Sequence, residues 1–309
     1  MINAAYSDPS VLSVSEEVRD ALADARPVVA LESTIFSSLG LPSPANQEAL
    51  TRCQAVIRAG GGVPAVTAVL DGVARVGLDD AQAERVLAST RKVAERDLAV
   101  ALAENAASGV TTVSASVALA HAAGIEVFAT GGIGGVHRGA ETSGDVSADL
   151  DALAHHPVVT VCAGAKAFLD LARTLEYLET VGVPVLGWQH DWFPAFYSRS
   201  SGLPVPHRVE TAAVVARVLR RQIRARSGVL LTVPIPASHE LDGDELNASL
   251  DAALLAAAAQ GISGPAVTPF ILGRIGEHTD GASIPANLAL AENNARVAVE
   301  VAAALLTAP

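Results

Sequence analysis

The sequence predicts an α/β protein, a single α/β/α sandwich domain with a largely parallel sheet. Short β-branched apolar runs alternate with longer amphipathic segments along the whole chain, which is the pattern of strand–helix units around a parallel sheet. The runs at 28–31 and 158–162 are apolar or β-branched throughout, as expected of strands buried on both faces. The chain has 309 residues, half of them hydrophobic, which is enough for a large core.

The elements can be placed in order along this pattern. Residues 1–25 are predicted to form a loose tail and one helix ahead of a domain at 26–309. Asp71-Gly72 lies between two apolar runs and predicts a hairpin turn. A long amphipathic helix is predicted over 209–226, and a final helix follows the last loop.

Composition excludes several classes of partner. The formal net charge is −12 and the pI is about 5.1, whereas binding to a nucleic-acid polymer needs a basic face. No run of about 18 uninterrupted apolar residues occurs, and acidic residues near the start argue against a signal peptide. The two cysteines, Cys53 and Cys162, lie in apolar surroundings and are predicted to be reduced packing residues. We therefore expect a cytoplasmic protein without a membrane partner.

One stretch combines a strand, a glycine run and an acidic cluster. After a β-branched run, Thr130 opens a segment with four glycines in the next five positions, followed by His137 and Arg138. Glycines at this density can turn backbone N–H groups towards an anion, and the two basic side chains can donate to a phosphate. The acidic cluster contains Asp145, Ser147 and Asp149, which suit a hard cation or a sugar. The alternative is a plain glycine turn.

Two single residues also suggest chemistry. Glu32 directly follows a buried strand, where open α/β sheets place ligand groups; the alternative is a helix-capping or solvated carboxylate. Lys166 lies in a small-residue turn and is predicted in the first turn of a helix, where the helix dipole disfavours its charge and favours a neutral, nucleophilic amine. The alternative is a lysine whose stem reaches solvent. The aromatic loop at 191–197 could be a lid over a base, but a local plug is favoured.

Beyond these residues, eight sequence blocks occur in an order that resembles the pseudouridine-5′-phosphate glycosidase family over about residues 26 to 305. The blocks are ALESTIFSSLGLPSPAN, GGVPAVTAVLDGVARVGL, KVAERDL, TGGIGGVHRGAETSGDVSADL, VTVCAGAKAFLDLARTLEYLETVGVPVLG, FPAFYSRSSG, TPFILGRIGEHTDGASIPAN and ENNA. A glycine run alone would be a weak signal, whereas eight ordered blocks over nearly the whole chain are specific.

The resemblance implies reversible cleavage of the C–C glycosidic bond of pseudouridine 5′-phosphate to uracil and ribose 5-phosphate, in a homotrimer that uses a divalent metal, typically Mn²⁺. In this reading Glu32 is the proton donor, Lys166 is the nucleophile that forms a Schiff base with ring-opened ribose, and Asp145 is the metal ligand. The residues predicted to contact the sugar phosphate or nucleotide substrate are Lys92, Val113, Thr130, His137, Arg138, Ser147, Ala148, Asp149 and Asn287.

Three positions depart from the family's usual pattern. Val233 stands where the family usually has Asn, Ala94 where Ser is usual, and Trp188 where Tyr is common. Because these changes reduce polarity, they leave the identity of the base open. The alternative is a C-glycosynthase that joins ribose 5-phosphate to a non-uracil aromatic acceptor. A third hypothesis, of another class, is a non-catalytic sugar-phosphate sensor.

Overall fold

The computed structural model describes residues 8–223, 226–262, 267–278 and 281–308, so the predicted tail lies mostly outside the described residues. The strands are β1 (Leu12–Val14), β2 (Val28–Leu31), β3 (Val63–Leu70), β4 (Val73–Val76), β5 (Lys92–Val93), β6 (Ser108–Thr111), β7 (Val127–Ala129), β8 (Val159–Cys162), β9 (Val185–Trp188), β10 (His207–Val209) and β11 (Val229–Thr232). The helices are α1 (Glu16–Ala23), α2 (Ala45–Ala59), α3 (Asp80–Leu87), α4 (Glu95–Ala103), α5 (Val113–Ala122), α6 (Ala140–Ser143), α7 (Ala148–His155), α8 (Leu171–Val181), α9 (Ala212–Arg220), α10 (Gly243–Ala259), α11 (Val267–His278) and α12 (Ser283–Leu305).

The strands form one sheet in the order β1-β4-β3-β2-β7-β8-β11-β9-β10, and β6 joins β3 and β5 beside this path. From β3 through β2, β7, β8, β11 and β9 to β10 every pairing is parallel. Only the β3–β4 and β3–β6 pairings within the described chain are antiparallel. The largely parallel α/β sheet predicted from the sequence is therefore confirmed.

Helices cover the sheet in two groups. Helix α12 packs on β2, β7 and β8 beside α2 and α9, while α5 packs on β2, β3 and β7 beside α4 and α7. The central strands β2, β8 and β11 are buried along their whole length, which accounts for their unbroken apolar or β-branched sequences. The sandwich encloses one large core that includes Phe128, Leu153 and Val161. Among the described residues, no helix is both long and apolar enough to cross a membrane.

Several local predictions can now be compared with the structure. The hairpin turn is confirmed, because β3 and β4 pair at Leu70 and Val73, and Asp71 and Gly72 both have positive φ, at 52° and 70°. The N-terminal segment contains β1, which pairs with β4 at the edge of the sheet, as well as the predicted helix. The helix predicted over 209–226 is too long: α9 covers nine residues, β10 precedes it, and residues 224–225 lie outside the described residues.

Candidate active site

The candidate site lies at the carboxyl edge of three neighbouring parallel strands. Glu32 follows β2, Thr130 follows β7 and Lys166 lies four residues beyond β8. Because β2 pairs with β7 and β7 with β8, all in parallel, these three chain segments leave the sheet at the same edge. This is the edge at which α/β proteins bind ligands.

A cavity with two chambers opens at this edge. The large chamber has a volume of about 630 Å³ and a narrow one has about 40 Å³. Four residues line both chambers: Glu32, Thr34, Leu39 and Lys166. The large chamber is also lined by Lys92, Val113, His137, Asp145, Ser147, Ala148 and Asp149, and the narrow one by Ile35, Gly131, Gly132, Phe196 and Asn287. Most of the residues predicted to contact substrate are thus brought together, around Glu32 and Lys166.

The carboxyl group of Glu32 is almost fully enclosed. Its residue is 8% exposed, and the Thr130 hydroxyl donates a hydrogen bond to its Oε1. Burial raises the pKa of Glu32 to about 7, although the nearby charge of Lys166 and the Thr130 hydrogen bond act in the opposite direction. A carboxyl group with this pKa can both hold and release a proton near neutral pH.

Lys166 is not in a helix, so that prediction is wrong. It lies in the loop between β8 and α8, and α8 begins at Leu171 with Asp170 as its N-cap. The loop is shaped by contacts with another chain segment: the Lys166 N–H donates to Ile133 O at 3.1 Å, and the Ile133 N–H donates to Gly164 O at 3.1 Å. The side chain is half-buried and faces the cavity beside Glu32. A helix dipole therefore plays no part in its reactivity.

Several N–H groups of the glycine stretch have partners within the protein. The Gly134 N–H donates to Asp149 Oδ2 at 2.9 Å, the Val136 N–H to Thr174 Oγ1 at 3.0 Å, and the His137 N–H to the Asp145 carbonyl at 3.0 Å. These N–H groups are used within the protein and are not available to a phosphate.

The glycines serve close packing instead. A Cβ atom on Gly132 would lie 2.5 Å from Phe196 Cδ2, and one on Gly134 would overlap the Ser147 hydroxyl. A Cβ on Gly135 would lie 2.5 Å from Thr174 Oγ1. The stretch needs glycine because other parts of the chain press against its backbone.

Asp149 is a buried carboxylate with two backbone donors. Ser114 N donates to its Oδ1 at 3.0 Å and Gly134 N donates to its Oδ2 at 2.9 Å, while its own N–H is capped by Ser147 Oγ at 3.2 Å. Asp149 thus joins the start of α5 to the glycine stretch and presents the rest of its carboxylate to the large chamber. Its charge also adds to the negative potential that raises the pKa of Glu32.

His137 and Asp145 form a pair in the wall of the large chamber. His137 Nδ1 lies 3.7 Å from Asp145 Oδ2. Burial lowers the pKa of His137, the Asp145 charge opposes this shift, and the charges of Lys166 and Lys92 add to it. The imidazole is therefore biased towards its neutral form, in which it can donate one hydrogen bond and accept another.

The predicted metal ligand, Asp145, can be tested against its surroundings. No cluster of three or more His, Cys, Asp or Glu side chains suited to a metal occurs in the part of the chain that the structure describes. Asp145 has a partly exposed carboxylate in the cavity wall. A single carboxylate fits a hard ion that keeps most of its water and also binds substrate oxygens, as Mg²⁺ and Mn²⁺ do, and does not fit zinc.

Two predicted substrate contacts lie elsewhere. The Arg138 guanidinium is exposed, pairs with Asp251 at 3.0 Å and lines a separate cavity of about 440 Å³. Thr130 is 4% exposed and directs its hydroxyl to Glu32. The structure therefore does not bring either side chain to the surface of the two chambers it describes.

Sequence reasoning missed a network of buried hydroxyl groups beneath the site. Ser33 Oγ lies 3.0 Å from Thr111 Oγ1, which lies 2.8 Å from Thr67 Oγ1. Thr67 also donates to Ser116 Oγ at 2.9 Å. These fully buried groups join Ser33, the residue directly after Glu32, to Thr67 in β3, Thr111 in β6 and Ser116 in α5. They therefore fix the chain directly after Glu32. Buried hydroxyls in apolar strands are the signal that could have revealed the network.

The family departures affect the cavity less than their chemistry suggests. Ala94 lines the large chamber, whereas neither Val233 nor Trp188 lines either chamber as far as the chain is described. Both of the latter side chains are buried in the core. Phe196, by contrast, lines the narrow chamber, although the other buried aromatics of its loop act as the predicted plug.

Taken together, the fold and cavity define an α/β protein with a lysine and a buried carboxyl group at the carboxyl edge of a parallel sheet, which suits covalent catalysis by an amine. The chain belongs to the family described as Indigoidine synthase A like protein, whose model matches residues 17–304.

Individual relatives agree with the resemblance seen in the motifs. A protein of Sorangium cellulosum named pseudouridine-5′-phosphate glycosidase is 51% identical over 298 residues, covering 95% of this chain and 93% of the relative. One of Paracoccus denitrificans with the same name is 51% identical over 306 residues, covering 97% of this chain and 100% of the relative. The resemblance is therefore confirmed.

Two solved structures share the fold. The prealnumycin C-glycosynthase AlnA, solved in complex with ribulose 5-phosphate, has a TM-score of 0.87 and 38% identity, with 96% of this chain and 97% of that chain covered. An indigoidine synthase A (IdgA)-like protein from Thermotoga maritima has a TM-score of 0.86 and 33% identity, with the same coverage.

Proposed function

We propose that the protein cleaves the C–C glycosidic bond of pseudouridine 5′-phosphate reversibly, giving uracil and ribose 5-phosphate, with Lys166 as nucleophile and Glu32 as proton donor. The observation that carries this proposal is that Glu32 and Lys166 line both chambers. A substrate made of two parts, a sugar phosphate and a planar base, can occupy the two chambers with its joining bond beside the reacting groups. The names of the relatives supply the substrate.

The chemistry follows from the weak leaving group. Uracil is attached to C1′ of the ribose through a carbon atom, which is a poor leaving group. The usual glycosidase mechanism with two carboxylates is therefore unsuitable. The ribose ring opens as the C1′–O4′ bond breaks and O4′ takes a proton from Glu32. Lys166 Nζ, as a neutral amine, then bonds to C1′, and the proton that this nitrogen loses returns to Glu32. Uracil C5 takes a proton from Glu32, and the C1′–C5 bond breaks as the nitrogen lone pair forms the C1′=N iminium. Water hydrolyses the iminium to ribose 5-phosphate and free lysine.

The 5′-phosphate is assigned to the large chamber. Lys92 and His137 line it, and binding energy from the phosphate can position the sugar against Lys166. Because the N–H groups of Gly134, Val136 and His137 have protein partners, we assign the main phosphate contacts to side chains. Asp145 would hold the Mn²⁺ ion, with water and substrate oxygens completing its shell. Such an ion would supply positive charge that orients hydroxyl or phosphate oxygens.

Assembly and location are proposals as well. The homotrimer rests on the family resemblance, and the cytoplasmic location is supported by two buried cysteines that form no disulfide. Light scattering of the purified protein would test the trimer, because a monomer mass of 31.5 kDa makes the three-fold mass easy to resolve.

A direct turnover assay tests the proposed function. Protein, Mn²⁺ and pseudouridine 5′-phosphate should yield equal amounts of uracil and ribose 5-phosphate, measured by liquid chromatography with mass spectrometry. Lys166→Ala should remove turnover. Failure of the wild-type protein to release uracil under any metal condition would contradict the proposal.

The C-glycosynthase hypothesis keeps one supporting observation, the close structural similarity to AlnA. It predicts that ribose 5-phosphate is joined to an aromatic acceptor other than uracil. Incubation with uracil and with a panel of phenolic acceptors separates the two functions, because only one class should give a C-ribosylated product. A non-catalytic sensor would instead bind ribose 5-phosphate equally well with and without Lys166.

A further inference from the structure

Thr130 is a buried residue in contact with the carboxyl group of Glu32. It follows β7, its hydroxyl donates to Glu32 Oε1, and its side chain is buried. The lining of the two chambers, over the residues described, does not include it. Its contact is therefore with the carboxyl group of the proton donor.

A second residue, Asn294, fixes the backbone of Thr130. Asn294 is fully buried on α12, and its Nδ2 donates to Thr130 O at 2.8 Å and to Gly131 O at 3.2 Å. The Thr130 N–H donates to Val161 O at 3.0 Å. The peptide groups on both sides of the Thr130 side chain are thus held by hydrogen bonds from two different elements.

The arrangement carries a cost that calls for an explanation. Asn294 Oδ1 is buried without a hydrogen-bond partner, and an unpaired buried acceptor is unfavourable. An apolar residue on this helix face would avoid that cost but would leave the Thr130 carbonyl group at the strand end without its donor, whereas Gly131 O would keep the hydrogen bond from the Ala163 N–H at 2.9 Å. The amide is best explained by the need to hold this one peptide segment still.

The hydroxyl of Thr130 has one proton, and it points to Oε1 of Glu32. Because Glu32 Oε1 already accepts this hydrogen bond, protonation of Oε1 is unfavourable. The proton of the neutral Glu32 carboxyl group therefore resides on Oε2. We propose that Thr130 and Asn294 are positioning residues that keep Glu32 Oε1 as the acceptor, so that Oε2 carries the proton used in the reaction. This inference rests on the proposed function in one respect, namely that Glu32 is the proton donor.

The proposal predicts a specific kinetic signature for Thr130→Val, which keeps the side-chain shape and removes the hydroxyl. Turnover number should fall about tenfold to hundredfold, within the range of general acid effects, whereas KM for pseudouridine 5′-phosphate should change less than about threefold because Thr130 does not reach the substrate space. The hydrogen bond stabilises the ionised carboxyl, so its loss should move the alkaline limb of the pH–rate profile to higher pH.

Three further variants give the comparison its controls. Thr130→Ser keeps a hydroxyl and should recover most of the turnover. Asn294→Ala should lower turnover with the same pattern as Thr130→Val, but less strongly. Thr232→Val removes another fully buried hydroxyl, one that donates to Leu186 O at 2.9 Å away from Glu32, and should leave the pH profile unchanged.

A measurement without substrate separates this inference from the proposed function. Carbon-13 NMR of δ-labelled glutamate, assigned with Glu32→Gln, follows the titration of Glu32 directly. The inference is supported if the Glu32 midpoint is higher in Thr130→Val than in the wild type and Thr232→Val. An unchanged midpoint would overturn it, as would a rise in KM at constant turnover number, which would make Thr130 a substrate contact. Absence of turnover by the wild type would instead contradict the function alone.

Discussion

At the scale of single residues, the burial of Glu32 that suits proton transfer also makes the stability of the protein depend on pH. A carboxyl group that has left water is more stable protonated, so its pKa rises from 4.5 to about 7. The folded state therefore binds this proton more tightly than the unfolded state does. The resulting stability is fully present below pH 4.5 and is lost as the pH rises through 7.

The loss of stability with rising pH gives a prediction for Glu32→Gln. At pH 8 the variant should be more stable than the wild type by about 3 kcal/mol, because the glutamine cannot ionise and 2.5 pKa steps correspond to about that energy. At pH 4.5 the difference should close. Urea unfolding at the two pH values measures it. The exposed Glu48→Gln should show no such trend, and a less stable Glu32→Gln at pH 8 would contradict the burial argument.

Asp145 leads to a prediction about metal binding that does not depend on turnover. As a single carboxylate ligand, it should be needed for Mn²⁺ binding in the presence of ribose 5-phosphate. Asp145→Asn should weaken the binding measured by calorimetry at least about tenfold. Asp151→Asn, on the exposed side of α7, serves as the control, and equal affinities for both variants would place the ion elsewhere.

At the scale of elements, the sequence predicts most strands and helices because their signals are local. Buried parallel strands such as β2 and β8 are recognisable from unbroken apolar runs alone. The close packing around the glycine stretch could not be predicted because its partners are remote. Thr174 and Gly164 accept hydrogen bonds from the N–H groups of Val136 and Ile133, and nothing in the local sequence reveals these contacts. Lys166 was misplaced for the same reason, since bonds to Ile133 hold its loop open.

The close-packing role of the glycines predicts a strong effect for Gly134→Ala. Its Cβ would overlap Ser147 Oγ and lie 2.9 Å from Asp149 Oδ2, so the free energy of unfolding should fall by about 2 kcal/mol. Gly273→Ala is the matched control, because its Cβ meets nothing within 4 Å on a helix and should be neutral or stabilising. Chemical unfolding of both variants decides between packing and an anion nest, which predicts lost phosphate binding with little loss of stability.

At the scale of the whole molecule, the site collects residues from distant parts of the chain. Glu32 and Lys166 reach one cavity because the parallel strands β2, β7 and β8 end at a common edge. Lys92 lines the same cavity from the start of β5, which runs antiparallel to β3. Position in the sequence alone suggested Glu32 and Lys166, whereas Lys92 could be identified only through the ordered motifs. The sequence could not reveal that Thr130 serves Glu32 or that Asn294 serves Thr130, because both contacts join elements far apart in sequence.

The overall charge makes the basic side chains of the cavity important. A molecule with a net charge of −12 repels a phosphate, so local cations must provide the attraction. Lys92→Met should raise KM for pseudouridine 5′-phosphate about tenfold to hundredfold, the range expected for a lost charge-assisted hydrogen bond. The binding of unphosphorylated pseudouridine should change little. A KM unaffected by this substitution would move the phosphate away from Lys92.

The central proposal is a covalent bond between Lys166 and C1′ of ribose 5-phosphate, and borohydride trapping tests this bond most directly. Wild-type protein incubated with ribose 5-phosphate and reduced with borohydride should gain the mass of one reduced ribose 5-phosphate, and peptide mapping should locate it on Lys166. Lys166→Arg should not gain this mass, whereas Glu32→Gln should still be labelled by ribose 5-phosphate. A label on another lysine, or no label on the folded wild-type protein, would contradict the assignment of Lys166 as the nucleophile.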